Sequence, residues 1–154
     1  MSIVKNILVP TDLSESSLPA LEVAIDLSLM HHAGLTLLHV HASTLFELPN
    51  GYVENMPSQL DHKYQALEQR LSTLERKARS SGVQRVEKRI LQGKIVEEIL
   101  GFAPGFDCVV LGTHSRTRLE RLVMGSVAQR VLEQAECRVL VVRPAQPPSS
   151  REPG

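Results

Sequence analysis

Five short apolar runs punctuate this chain, and the stretches between them carry apolar residues that return every three or four positions. The runs are IVKNILV (residues 3–9), LTLLHVH (35–41), VQRVEKRIL (83–91), DCVVLG (107–112) and RVLVVRP (138–144). Apart from the charged third run, their β-branched, near-continuous apolar character suits strands buried on both faces rather than strands with one wet side. Between the first two runs, Ser14, Ser16 and Ser17 offer helix caps, Pro19 falls in or near the first turn, and Leu18, Leu21, Ile25 and Leu29 keep helical spacing up to Gly34. Residues 59–81 repeat the pattern with Leu60, Tyr64, Leu67, Leu71, Leu74 and Ala78 before Gly82. Residues 94–103 and 125–135 make two further helices, the last with Val127, Val131 and Leu132 directed inward. The order β-α-β-α-β-α-β-α-β dictates an α/β fold, a parallel sheet covered on both faces through right-handed crossovers.

A length of 154 residues suits one domain with a real core, taken as residues 1–144. The remainder, AQPPSSREPG (145–154), has the composition of a disordered tail. The 17 basic and 17 acidic residues cancel, which gives no general attraction for nucleic acid or an anionic membrane. An aromatic content of 3% also argues against base-stacking platforms. No run approaches the ~20 apolar residues of a membrane span, and no signal-peptide core precedes the first strand, so the expected location is the cytoplasm. Cys108 and Cys137 form no CxxC pair and read as reduced, buried thiols.

In a sheet of this kind ligands bind beyond the carboxyl ends of the strands, where the strand order reverses. Those ends carry Pro10-Thr11-Asp12, Val40-His41 and Leu111-Gly112-Thr113, and Gly125-Ser126 opens the last helix. A helix start offers free N–H groups and the positive end of its dipole to an anion. Gly125-Ser126 reads either as such a site or as a plain turn and cap. His39 and His41 share a strand face, but without a carboxylate or Cys beside them His39 reads as a core residue satisfied by a backbone group. His31 and His32 fit terminal carbonyls of the first helix better than a metal. Residues 42–58 are a long connection, read either as a lid or as idle surface.

The spacing Gly112, two residues, Ser115, nine residues, then Gly125-Ser126-Val127 resembles the nucleotide loop of the universal stress protein family, G-x2-G-x9-G-[S/T]. ILVPTDLSESSLPAL is similar to that family's first strand, acidic turn and first helix, LTLLHVHA to its second strand, and residues 107–144 to its carboxyl-terminal half. The resemblance covers residues 3–144. It implies an open five-stranded parallel sheet of order 3-2-1-4-5, of the adenine nucleotide alpha hydrolase-like, Rossmann-like kind, with ATP at the switch point in one subset of members.

Carried over, Pro10 and Thr11 line the base side, Asp12 lies near ribose and phosphate, and the Val40 backbone meets the adenine edge. Leu111 and Gly112 support base and ribose, while Gly125, Ser126 and Val127 bind phosphates. Ser115 replaces the motif's second glycine, at a cost of about 1–2 kcal/mol if a left-handed backbone is needed there. The ligand implied is thus ATP or AMP, with Mg2+ arriving on the nucleotide, and a member that binds no nucleotide is the alternative. Arg116, Arg118 and Arg121 give the loop local positive charge; at least two read as solvated, and the third reads either as solvated or as a partner of outer phosphates.

No Ser-His-Asp set, paired carboxylates or Walker lysine appears, so the chain reads as a regulatory protein rather than an enzyme, slow ATP hydrolysis being the exception. The charges in 83–91 suit an exposed sheet edge, whereas VLVV in the last strand lacks edge protection and wants a cover. A two-fold copy pairing through residues 138–143 supplies one, which makes a homodimer, and an unidentified protein partner would read its state.

Overall fold

The computed structural model describes residues 4–42, 57–113 and 124–144, with side chains of the helix that opens the second segment from residue 62 onward. The strands are β1 (Asn6–Pro10), β2 (Gly34–Ala42), β3 (Val86–Gly93), β4 (Cys108–Gly112) and β5 (Arg138–Val142). They alternate with α1 (Leu18–His31), α2 (Pro57–Ser80), α3 (Ile95–Phe102) and α4 (Ser126–Gln134). All pairings are parallel and the sheet order is β3-β2-β1-β4-β5, the order implied by the resemblance. The tail 145–154 and most of the long connection lie outside the described residues.

Alternation along the central strands divides the core in two. Ile7, Val9, Leu35, Leu37 and Val110 face α1 and α2, meeting Leu21, Ala24, Leu71 and Ala78. Leu8, Leu38, Val40, Val109 and Leu111 face α3 and α4, meeting Val96, Ile99, Ala128 and Val131. Both faces of β1, β2 and β4 are therefore dry, which is why these strands read as unbroken apolar runs. At the β3 edge, Lys88 turns toward α2, donating to Ser72 Oγ at 2.6 Å and pairing with Glu68 at 3.3 Å.

Several local expectations are corrected. The first strand begins at Asn6 rather than residue 3, and the third begins at Val86 rather than 83, because register with β2 and not apolar content sets where pairing starts. Helix α1 ends before Gly34: His32 takes the left-handed position (φ 54°, ψ 38°) and its N–H returns to the Ser28 carbonyl. Gly34 instead opens β2, its N–H donated to the Lys5 carbonyl at 2.8 Å. Leu29 is 40% exposed and Leu132 45% exposed, because each sits one step round the helix from the buried stripe. Ala128 does the inward packing that was assigned to Leu132. Gly82, by contrast, ends α2 as the sequence indicates, at φ 110°.

At the amino edge of the sheet, Asp107 Oδ2 accepts the N–H groups of Lys5 (2.8 Å) and Asn6 (2.9 Å), fastening β4 to the entry of β1. Those two hydrogen bonds hold its carboxyl below the usual range, against a smaller opposing effect of burial. Cys108 is buried, and loss of solvent pushes its thiol up. It belongs to the cluster under α1 and α2, while Cys137 packs against the other, so the two thiols stand on opposite faces of the sheet.

Candidate functional site

The candidate site lies at the carboxyl edge of β1, β2 and β4, where the strand order reverses, and three backbone features shape it. Pro10 ends β1 and pairs with Leu38 in the register toward β2. Toward β4 the pairing stops at Leu8 and Val109, and the next donor in that ladder would be the N–H that proline lacks. Beyond this row β1 and β4 part.

The chain then leaves the sheet through a turn tied by its own side chains. Thr11 N–H makes the last ladder bond, to the Leu38 carbonyl at 2.8 Å. Leu13 N–H is donated to Thr11 Oγ1 (3.0 Å), Ser14 N–H to Asp12 Oδ1 (2.9 Å), and Ser14 Oγ to the same Asp12 oxygen (2.5 Å). Thr11 Oγ1 also meets Ser17 Oγ at 2.9 Å, and Ser17 Oγ donates to the Ser14 carbonyl at 2.7 Å. Leu13 occupies the left-handed region at φ 65° and packs its side chain against the core under α1. The result presents Asp12, exposed, with one carboxylate oxygen engaged by the turn.

Strand β2 runs past the end of β1, and alternation decides what its backbone does there. Gly34 and Leu38 direct their N–H and C=O groups to β1, as the bonds Gly34 to Lys5 and Thr11 to Leu38 show, whereas Leu35 donates toward β3. Val40 shares the parity of Leu38, so its N–H and C=O face the side from which β1 has departed. Continuing the ladder would take Val40 N–H to the Thr11 carbonyl. That carbonyl instead accepts from His39 Nδ1 at 2.9 Å, and Val40 N–H has no hydrogen-bond partner among the described residues. Since a carbonyl only accepts, His39 carries its proton on Nδ1.

The opposite wall is built from β4 and α4. Leu111 is buried at the end of β4, and Gly112 pairs with Val142. A side chain at Gly112 would stand 3.6 Å from the Ser16 carbonyl, which shows how closely the serine turn abuts this strand end. Thr113 N–H is donated to the Val142 carbonyl (3.1 Å), and the Thr113 carbonyl accepts Gly125 N–H (2.6 Å). Thus β4 and the start of α4 are fastened directly together. Gly125 is the N-cap, at φ −59° and ψ 154°, and its carbonyl takes the first helical bond, from Gln129.

Its own N–H is spent on Thr113, so the donors left unengaged among the described residues are the N–H groups of Ser126, Val127 and Ala128, with the exposed Ser126 hydroxyl beside them. Thr113 Oγ1 is buried with no hydrogen-bond partner among the described residues. Ser115 and the arginines at 116, 118 and 121 lie outside the described residues.

Of the residues singled out in the sequence, Pro10, Thr11, Asp12, Val40, Leu111, Gly112, Gly125, Ser126 and Val127 all fall on this one edge. The sequence indicated that a backbone group satisfies His39, but not that the group is the carbonyl of Thr11. Thr113 stands in the sequence as part of the Leu111-Gly112-Thr113 strand end, but its bonds to Val142 and Gly125 carry no sequence signal.

The sequence model of the universal stress protein family matches residues 4–143. A universal stress protein of Methanocaldococcus jannaschii is 35% identical over 143 residues, spanning 90% of this chain and 82% of the relative. Among solved structures, the universal stress protein UspA from Lactobacillus plantarum superposes with a TM-score of 0.80 at 26% identity, covering 91% of this chain and 98% of that one. A universal stress protein in complex with cAMP has the same fold, with a TM-score of 0.67 at 22% identity over 92% of this chain and 98% of that one.

Proposed function

The chain belongs to the universal stress protein family, and we propose that it binds an adenine nucleotide, ATP or AMP, across the carboxyl edge of its sheet and acts as a homodimeric regulatory protein rather than an enzyme. The observation that carries this reading is the pair of unspent backbone arrays facing one crevice: Val40 on one side, Ser126 to Ala128 on the other. The Watson–Crick edge of adenine offers an acceptor beside a donor, which matches an N–H and a C=O projecting from the same strand residue. Phosphate suits the start of α4, where the free N–H groups and the dipole act together and the Ser126 hydroxyl adds a donor. A structure that shares the fold holds cAMP, a ligand of the same adenine-ribose-phosphate class.

Asp12 follows β1, which lies between β2 and β4 in the sheet, so it stands on the same edge as both arrays. With Oδ1 engaged by Ser14, its other oxygen is the one to accept from a ribose hydroxyl or to meet Mg2+. Among the described residues no group of three or more His, Cys, Asp or Glu side chains gathers, so Mg2+ would ride on the phosphates rather than in a protein cage.

Signalling is the consequence of where the ligand sits. A nucleotide that bridges β2 and α4 also bears on β5, through the bond from Thr113 to Val142 and the pairing of Gly112 with that residue. The outer edge of β5 is the proposed two-fold contact. Among the described residues β5 pairs with β4 alone, and Leu140 is 39% exposed.

Releasing and identifying any nucleotide carried by the purified protein tests the reading. Adenine nucleotide in near-stoichiometric amount supports it. A ligand-free dimer that stays ligand-free in excess ATP and AMP would mark a nucleotide-independent interaction module, and multiple-turnover release of ADP would mark an ATPase.

A further inference from the structure

We infer that His39 is a positioning residue for base recognition: its imidazole holds the Thr11 carbonyl so that Val40 N–H stays unpaired and available to adenine. The inference rests on the nucleotide reading but adds a residue to it. A parallel ladder one row longer would bond Val40 N–H to Thr11 C=O and leave the crevice without a backbone donor on this side. His39 Nδ1 occupies that carbonyl at 2.9 Å.

The imidazole comes from the same face of β2 that packs on α1, since His39 has the parity of Leu35 and Leu37. That is the face toward which the chain turns after Thr11 to enter α1. A buried donor one residue ahead of Val40 therefore captures the carbonyl as β1 departs, and His39 is 9% exposed. The neighbouring bond from Thr11 N–H to Leu38 keeps the departure point fixed.

The test compares His39→Phe, which keeps an aromatic ring of similar width but has no donor, with His39→Gln, which keeps an N–H. Two readouts are taken: affinity for AMP against ribose 5-phosphate, and hydrogen exchange at the Val40 amide. In the parent protein the Val40 amide exchanges as an unbonded group. In His39→Phe it becomes protected, AMP binding weakens about tenfold, the worth of one hydrogen bond, and ribose 5-phosphate binding is unchanged. His39→Gln returns both readouts toward the parent.

Equal losses for AMP and ribose 5-phosphate would overturn the inference, as would a Val40 amide already protected in the parent protein. If the parent binds neither ligand, the nucleotide reading falls, while the exchange measurement still decides whether His39 keeps Val40 free.

Discussion

Replacing Ser126 by proline removes two of the phosphate donors assigned to α4 without asking the helix to change. Ser126 is the first helical residue, where the N–H has no intrahelical partner and the fixed φ of proline is already suitable. The residue before a proline must be extended, and Gly125 is so at φ −59° and ψ 154°. Gly125 N–H stays on the Thr113 carbonyl, so the link between β4 and α4 survives. What disappears is one N–H and one O–H of the proposed phosphate site.

A hydrogen bond to a charged group contributes ~1.5–3 kcal/mol, and the low end applies because the crevice is open to water. Ser126→Ala, losing the hydroxyl alone, should weaken ATP binding by ~10-fold, and Ser126→Pro by ~100-fold. Calorimetric titration of each variant with ATP, and with adenosine as the phosphate-free control, reads the difference. Adenosine affinity should not move. A folded Ser126→Pro protein that binds ATP within about twofold of the parent would refute the assignment of phosphate to this helix start.

Two further outcomes follow from the same geometry. Parity in β5 turns the N–H groups of Val139 and Val141 away from β4, because Val142 C=O faces it. Val139→Pro should therefore leave β4–β5 pairing intact yet convert a dimer to monomer in sedimentation, and a variant that stays dimeric would exclude this edge as the contact. Asp107→Ala should cost about 1 kcal/mol in urea unfolding near pH 7, a modest value because the carboxylate is largely solvated. Its lowered carboxyl makes the sign definite: the contribution is complete above the unfolded-chain value near 4 and is lost as pH falls through the lower folded value, so parent and variant should converge once the folded carboxyl is protonated. Equal differences at neutral and at acid pH would mean that the ionised carboxylate is not the fastening group.

Much of this architecture is written in apolar periodicity. Runs such as LTLLHVH and DCVVLG are too short for buried helices and read as strands covered on both faces, and the helical spacing between them points to one fold class. Strand order is a different matter, since periodicity is blind to which strands are neighbours, and it came from the resemblance. The exposed Leu29 and Leu132 show the limit on a finer scale: spacing marks a helix but its rotation is set by what it meets. Likewise Gly34 was read as a helix stop because glycine favours that place, while His32 took the left-handed position.

The candidate site was legible as motifs and illegible as hydrogen bonds. Pro10, Asp12, Gly112 and Gly125 announced the edge. That Gly125 N–H is already spent on Thr113, and that Val40 N–H is free because His39 took its carbonyl, depends on register, which pairs residues distant in the chain.

The central claim is that these unspent backbone groups form an adenine-nucleotide site. Titration of nucleotide-stripped protein with ATP, followed by backbone amide NMR shifts, tests it most directly. The account predicts saturable binding of about one nucleotide per chain with a dissociation constant below ~1 mM, and shifts concentrated at Val40 and at Ser126 to Ala128. Absence of binding at several-fold higher ATP and AMP, or shifts confined to the opposite edge around Lys5, Asn6 and Asp107, would contradict it.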